Sequence, residues 1–409
     1  MAKKRSNGEG SIYKRKDGKW CATITLCNDL LTGKPKRQSF YGNTRQEVSA
    51  KLIESQGRIQ NGSYIEPSNL TLEKWLDYFL YNYKKTGIRP KTFENYEYLI
   101  RVHLNPHIGS YPIMKLTPEI IQNFYNFLSS KGRSDGKGGL SPKTVRNIHN
   151  LLHDALQQAV KSGKVIRNVS EATTLPRKQP KEIQPLSMDD EITFLETASN
   201  DRLGIAFIVS LSTGMRLGEL LGLTWSCVNL SNGNIVVKQA LVRVKIFDDN
   251  KNYESKLIFQ EPKTKAGIRN IPLPTNVLVL LNAHRLTQSK EKLLVGNKYE
   301  DLDLVFSTEL GHPIEPRNFI RKFQQLLKVS GLEKTNIHSL RHTYATRLLE
   351  LNEHPKVVQE LLGHSTIAIT LDIYSHVFPE IKKAAADKIN DLFKIKNNLV
   401  KEECSSYAV

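Results

Sequence analysis

Six polar residues dispersed over the C-terminal half of this 409-residue chain constrain its fold more than any other feature. They are Arg216, Lys263, His338, Arg341, His364 and Tyr374, in the segments TGMRLGELLGL, PKTKAGIRNIPL, HSLRHTYATRLL, LLGHS and DIYSH. Guanidinium, ammonium and imidazole groups are suited to holding and activating a phosphodiester, and a phenol can supply a nucleophile. A metal-dependent nuclease would show clustered carboxylates instead. The fold must therefore gather these distant segments around one phosphate.

The chain is strongly basic, which favours a polyanionic partner and nucleic acid first. It carries 59 Lys and Arg against 41 Asp and Glu, a formal net charge of +18. It contains no run of eighteen apolar residues and no apolar N-terminal signal segment, so we expect no membrane partner. The 4 cysteines form no CxxC pair, which is typical of a reducing cytoplasm.

The N-terminal segment has the pattern of a small basic sheet with one helix. Strands are predicted at 11–13, 20–26 and 37–41, and a helix at 44–59. Basic residues lie on or beside these strands: Lys14, Arg15, Lys16, Lys19, Lys36 and Arg37. A basic sheet can enter a DNA groove. A solvated basic face is the alternative that the sequence leaves open.

Capping signals predict four helices in the following segment and another near position 187. A hydroxyl N-cap or a proline at the first helical position marks each start. These starts are Thr71, Pro90, Thr117-Pro118, Ser141-Pro142 and Ser187.

The last part of the chain is predicted to be mostly helical with a small sheet. A strand is expected at about 234–244, followed by a hairpin over 257–273 with Lys265, Ala266 and Gly267 in its turn. Lys263 would then lie near the hairpin tip. The expected fold class is multidomain α+β: a three-stranded sheet with one helix, a four-helix domain, and a mainly helical catalytic domain with a small antiparallel sheet.

Arg216 is predicted to start a helix just after Gly214 ends the preceding one. Its planar guanidinium matches two phosphate oxygens, and a helix N-terminus favours the same anion. The alternative is a surface arginine paired with Glu219, three residues on.

His338 and Arg341 are three residues apart at the head of a predicted helix and therefore share a face. His338 and His342 also have the i,i+4 spacing of a metal pair. The helix lacks the glutamate of an HExxH motif, and no third ligand is close in sequence, so we predict no metal and no cofactor.

The remaining site residues depend more on position than on local pattern. Lys263 has Lys265 and Arg269 as neighbouring alternatives, and we interpret these two as phosphate contacts. Tyr374 is one of 15 tyrosines, singled out by its place ten residues after His364.

The order and wording of these segments resemble those of the tyrosine recombinases, the family of phage and transposon integrases. The N-terminal basic sheet is similar to the arm-binding domain of integrases from Gram-positive conjugative transposons, and temperate phages carry it too. The resemblance implies an arm-binding domain at 1–62, a helical SAM-like core-binding domain at 70–175, a catalytic domain at 183–395 and a tail at 396–409.

The resemblance also implies a mechanism of site-specific integration and excision. Tyr374 attacks the scissile phosphate to form a 3′-phosphotyrosyl link, and Lys263 protonates the departing 5′ oxygen. Arg216 and Arg341 stabilise the transition state, and Glu219 supports the site. His338 moves the tyrosine proton, and His364 helps to hold the phosphate.

The implied partners are double-stranded DNA at core and arm attachment sites, and three further copies of the chain in a homotetramer. An excision factor and a host DNA-bending protein are implied as well, in a bacterial cytoplasm. The rival functions are a type IB topoisomerase-like enzyme and a catalytically silent DNA-binding regulator. The attachment sequence, and the choice between phage and transposon, are not encoded in any pattern that we recognise.

Overall fold

The structure is a computed structural model that describes residues 10–28, 33–60, 68–177, 185–262 and 265–374. The chain divides into two compact units, Met1–Gln179 and Pro180–Val409. The boundary lies between the domains expected at 70–175 and 183–395. The finer division of the first unit near residue 62, and the separate tail, stay predictions. Among the described residues, no helix is long and apolar enough to cross a membrane.

The first unit begins with the predicted antiparallel sheet and helix. Its elements are β1 (Ser11–Lys14), β2 (Trp20–Asn28), β3 (Pro35–Gly42) and α1 (Arg45–Gln60), with strand order β1-β2-β3. Ala22 and Ile24 on β2 pack against Val48 and Leu52 of α1. Because side chains alternate across a strand, the opposite face of the sheet stays open.

The rest of the first unit is helical, and four of its α-helices begin where the capping signals predict; the fifth, the short α4, was not predicted. They are α2 (Leu72–Tyr78), α3 (Pro90–Leu99), α4 (Asn105–Ile108), α5 (Pro118–Lys131) and α6 (Pro142–Lys161). Thr71, Thr117 and Ser141 each accept a hydrogen bond from the backbone N–H three residues on. The π-helical turns Phe79–Lys84 and Ile100–Leu104 extend α2 and α3.

The core of the second unit is helical, and the other helices pack around one apolar helix, Gly204–Thr213. Its helices are α7 (Met188–Ser199), α8 (Gly204–Thr213), α9 (Leu217–Leu221), α10 (Thr275–Val295), α11 (Pro316–Val329), α12 (Ser339–Glu350), α13 (Pro355–Leu362) and α14 (Ile367–Tyr374). Phe207 of α8 stacks on Phe319 of α11 with ring centroids 4.5 Å apart. Phe194 of α7 closes the same cluster, edge-on to Phe207. This core fixes the end of α8, where the site begins.

The strands of the second unit form two small sheets. They are β4 (Val228–Asn229), β5 (Asn234–Val237), β6 (Ala240–Phe247), β7 (Tyr253–Gln260) and β8 (Arg269–Pro272). Order β4-β5-β8 makes one sheet, and β6 pairs with β7 in the other.

The predicted hairpin over 257–273 is wrong, because β7 and β8 do not pair with each other. β7 returns to β6 through the turn after Asp248, whose carboxylate accepts the Asn252 N–H at 2.8 Å. β8 instead pairs with β5, which places buried Ile271 beside buried Ile235. Residues Lys265–Gly267 form a 3-10 turn that leads from one sheet to the other. The strand region expected at about 234–244 is present and consists of two strands, β5 and the first part of β6.

Candidate active site

Arg216 lies where α8 ends and α9 begins. Gly214 closes α8 with φ +60°, and Arg216 takes the N-cap position of α9. The Glu219 carboxylate accepts the Arg216 backbone N–H at 3.0 Å and its Nη1 at 2.7 Å. The pairing considered as the simple surface alternative is therefore present. The Arg216 side chain is nevertheless 41% exposed. Its guanidinium can therefore bind a further partner.

Glu219 is a buried junction between two arginines. Its second oxygen also accepts from Nη2 of Arg269 at 2.8 Å, and both side chains are almost inaccessible. Burial alone would raise the pKa of the Glu219 carboxyl, but the hydrogen bond and charge of Arg269 and the charge of Arg216 lower it below its ordinary value. Glu219 is therefore ionised at neutral pH and can orient both cations.

Arg341 is buried in the first turn of α12, with 3% of its area exposed. Its Nη1 donates to the Gly214 carbonyl and its Nη2 to the Leu362 carbonyl, both at 2.7 Å. Burial and the charges of Arg216 and Arg269 lower the pKa of Arg341 to about 9, so its guanidinium stays protonated at neutral pH.

The end of α13 gathers three arginines around three consecutive carbonyls. Arg269 Nε donates to Leu361 at 2.6 Å, Arg341 Nη2 to Leu362 at 2.7 Å, and Arg216 Nη2 to Gly363 at 3.0 Å. The last carbonyls of a helix have no intrahelical partner, and cations near them are favourable. We call Arg216, Arg269 and Arg341 the arginine cluster. With Glu219 as the one carboxylate bonded to it among the described residues, this cluster stays net positive and suits an anion.

Gly363 is required at the centre of this arrangement. It has φ +65°, and a Cβ there would lie 2.6 Å from the Ala266 carbonyl oxygen and 3.0 Å from Arg269 Cδ. A side chain would therefore be strained by its backbone angle and would also displace the arginine cluster.

We expect Gly363→Ala to lower the free energy of unfolding of the full chain by about 3–5 kcal/mol, as backbone strain and steric overlap add. Gly331→Ala is the matched control, because Gly331 has φ +70° and nothing within 4 Å of a Cβ. It should lose only about 1–2 kcal/mol. Urea unfolding measures both, and equal losses would show that the overlap at Gly363 costs nothing.

His338 lies immediately before α12 and keeps an accessible edge. Its ring meets that of His342 edge-on, with centroids 4.9 Å apart. Desolvation by the surrounding protein lowers the pKa of His338 to about 4, and His342, Arg341 and Arg216 act in the same direction. The ring is therefore neutral at neutral pH, with one nitrogen that can accept a hydrogen bond. A phosphate anion beside it would raise this pKa and make the ring a better proton acceptor. Among the described residues, no group of three or more His, Cys, Asp or Glu side chains could hold a metal ion.

His364 follows the glycine that ends α13 and is buried, with 8% of its area exposed. Its pKa is lowered to about 3 by burial and by the Arg341 and Arg216 charges. The His364 Nδ1 lies 3.0 Å from Oγ1 of the fully buried Thr370 on α14. Tyr374 ends α14 four residues later. One hydrogen bond thus joins His364 to the helix that carries Tyr374.

The structure brings five of the six residues expected to be catalytic into one region of the second unit, four with their side chains and Tyr374 with its backbone. Lys263 is outside the described residues, and of Tyr374 and Lys265 only the backbone is described. The six basic residues at the N-terminal strands are all exposed. Arg15 lies 5.2 Å from the Tyr41 ring centroid.

Arg269 is placed differently from the phosphate contact that we predicted for it. It is 8% exposed, and its Nε, Nη1 and Nη2 all donate to protein acceptors, an arrangement that does not favour a direct contact. The sequence does hold one signal of this burial. Arg269 lies two residues before the apolar Ile271 on a strand, so the two side chains share one face of the sheet. The roles of Thr370 and of the α13 carbonyls carry no comparable signal.

Comparison with known proteins agrees with this fold. Residues 186–380 match the Phage integrase family, and residues 71–129 match the phage integrase N-terminal SAM-like domain. A "Tyrosine recombinase XerC-like" protein of Caldanaerobacter subterraneus subsp. tengcongensis is 34% identical over 390 residues, covering 92% of this chain and 98% of that protein. The ICEBs1 integrase of Bacillus subtilis is 24% identical, over 93% of this chain and 100% of that protein.

Two solved structures share the fold. The Tn1549 transposon integrase in complex with a circular intermediate DNA has a TM-score of 0.63 and 22% identity, covering 78% of this chain and 99% of that chain. The lambda integrase tetramer bound to a Holliday junction has a TM-score of 0.53 and 21% identity, covering 90% of this chain and 96% of that chain.

The chain belongs to the phage integrase family of tyrosine recombinases. It is a site-specific DNA recombinase (integrase), a DNA strand transferase. The predicted family, fold class and enzyme class are confirmed.

Proposed function

We propose that the second unit cuts and rejoins DNA through a 3′-phosphotyrosyl intermediate, with Tyr374 as nucleophile. The observation that carries this proposal is the arginine cluster at the end of α13, from which the chain leads directly into α14, the eight-residue helix that ends at Tyr374. The cluster offers guanidinium groups to one phosphate, and the His364–Thr370 bond holds the tyrosine helix beside it.

Arg216 and Arg341 bind the non-bridging oxygens of the scissile phosphate in this proposal. Their cations stabilise the charge that develops as the tyrosine oxygen attacks and the 5′ oxygen leaves. Each positioned donor of this kind contributes on the order of 10²- to 10³-fold in rate. The Glu219 carboxylate accepts hydrogen bonds from both the backbone N–H and the Nη1 of Arg216. The Arg216 guanidinium is therefore oriented before DNA binds.

The histidines and the lysine move protons or hold them in place. Neutral His338 accepts the Tyr374 proton, and His364 donates to a phosphate oxygen through the nitrogen not bonded to Thr370. Lys263 protonates the 5′ oxygen, with Lys265 as its neighbouring alternative. The phosphotyrosyl bond conserves the energy of the broken phosphodiester, so the proposal requires neither metal nor ATP.

The first unit supplies the grip on DNA in this proposal. The open face and edges of the β1-β2-β3 sheet present Lys14, Arg15, Lys16, Lys19, Lys36 and Arg37 to arm sites, and α2–α6 bind the core site. Exchange of two duplexes takes four copies of the chain, with an excision factor and a host DNA-bending protein setting direction, in a bacterial cytoplasm. Lambda integrase, which shares the fold, has been crystallised as a tetramer bound to a Holliday junction.

A nicked suicide substrate that carries the attachment site tests the proposal. The nick lets the 5′ fragment escape, so the wild-type protein should accumulate as a covalent adduct, and EDTA should not reduce it. Specific binding without any adduct would contradict the proposal and support a silent regulator. Efficient relaxation of supercoiled DNA lacking the attachment site would support the topoisomerase alternative instead.

A further inference from the structure

Arg269 is buried, as is Arg341, and all three of its guanidinium nitrogens donate to protein acceptors. It extends from β8, beside buried Val237 of β5. Its guanidinium donates to the Leu361 carbonyl at 2.6 Å, the Gly267 carbonyl at 3.2 Å and Glu219 at 2.8 Å. A fork bonded in three directions inside the protein has a fixed orientation, which a surface phosphate contact does not need.

The bond to Glu219 connects Arg269 to Arg216. One carboxylate oxygen accepts from Arg216 Nη1, and the other accepts from the Arg216 backbone and from Arg269. Without Arg269, Glu219 would be a buried carboxylate with one cationic partner, and its angle toward Arg216 would no longer be set from two sides.

The bond to Leu361 connects Arg269 to the segment that carries His364. Leu361 precedes Gly363 by two residues, and the Arg269 Cδ lies against the place that a Gly363 Cβ would take. Arg269 therefore limits where the turn after α13 can lie. The same Arg269 side chain therefore contacts both Glu219, which holds Arg216, and the segment that carries His364.

We propose that Arg269 is a positioning residue that aligns Arg216, through Glu219, with His364, through the Leu361 carbonyl, and that it does not contact DNA. This inference rests on the proposed function, in which Arg216 and His364 hold the scissile phosphate. It assigns the third arginine of the cluster to the geometry of the reaction and removes it from the grip on DNA.

The substitution Arg269→Lys separates these two roles. Lysine keeps a positive charge near Glu219 but cannot also reach the Leu361 carbonyl with a planar fork. We expect the single-turnover rate of adduct formation on the nicked substrate to fall about 10- to 100-fold, because misalignment at a reacting centre carries a penalty of this order. DNA affinity and its salt dependence should not change. If Arg269 contacted a phosphate, losing the bidentate fork would instead weaken DNA binding.

Two controls make the result specific. Arg202→Lys disrupts a similar fork, which binds Glu291 and the Ser307 carbonyl away from the site, and should leave the cleavage rate within about twofold. In an Arg216→Lys background, Arg269→Lys should slow cleavage much less than in the wild type, because the two residues act as one unit.

Each outcome decides a different claim. If Arg269→Lys cleaves at the wild-type rate, or if it weakens DNA binding, the positioning role is wrong while the proposed function stands. If Arg202→Lys slows cleavage as much as Arg269→Lys does, the slowing comes from a general loss of stability, and the positioning role is wrong as well. If the wild-type protein forms no adduct, the proposed function itself fails.

Discussion

Replacing Tyr374 with phenylalanine is expected to abolish the covalent protein–DNA adduct while leaving binding of attachment-site DNA unchanged. Phenylalanine keeps the aromatic ring at the end of α14 but lacks the oxygen that forms the new bond. Removal of a nucleophile typically slows such reactions on the order of 10⁴- to 10⁶-fold. Denaturing electrophoresis of the reaction on a nicked substrate measures the adduct, and a mobility shift measures binding.

Tyr299→Phe is the matched control for the loss of a hydroxyl. Its oxygen lies 3.5 Å from Ser307 Oγ, in another part of the same unit, and its removal should leave adduct formation within about twofold. An adduct that persists in Tyr374→Phe would show that another group attacks the phosphate. It would overturn the assignment of the nucleophile without touching the membership of the family.

Arg341→Lys should slow adduct formation about 100- to 1,000-fold, the usual effect of removing one preorganised donor at a developing charge. Lysine is shorter and has no planar fork, so it cannot hold the Gly214 and Leu362 carbonyls together. The loss should appear in the single-turnover rate. DNA affinity should fall far less than the cleavage rate, because Arg341 would be one of many phosphate contacts and lysine keeps its positive charge.

Arg347→Lys on the same helix controls for the stability lost with a buried fork. Arg347 donates to Glu191, Glu350 and the Leu186 carbonyl, a comparable set of bonds that faces away from the site. We expect similar small drops in melting temperature for both variants and a large drop in cleavage for Arg341→Lys alone. Equal cleavage rates for both would contradict the catalytic role of Arg341.

Local signals in the sequence predicted local structure well. Thr117 and Ser141 cap helices because their side chains accept the N–H three residues on, and Gly214 ends α8 because it can adopt a positive φ. The position of Arg216 at the start of α9 follows from the same short-range rules.

The pairing of strands was predicted less well, for a physical reason. The expected hairpin over 257–273 followed from turn-forming residues at 265–267, which do form a turn. Strand partners, however, are chosen by which residues can be buried together, and Ile271 lies beside Ile235 of β5. That choice involves residues far apart in the chain and leaves no local signal.

The sequence by itself determined the family, the order of the phosphate-binding residues and the places where helices begin. Only the tertiary structure decided how the arginines divide their work. Each arginine donates to a carbonyl that is distant in sequence: Arg269 to Leu361, 92 residues away, Arg341 to Gly214, 127 residues away, and Arg216 to Gly363, 147 residues away. The carbonyls at the end of a helix have no partner within it, so they accept hydrogen bonds from the donors that the tertiary packing places beside them. Two arginines that look alike in sequence can therefore serve as a candidate phosphate ligand and a buried support.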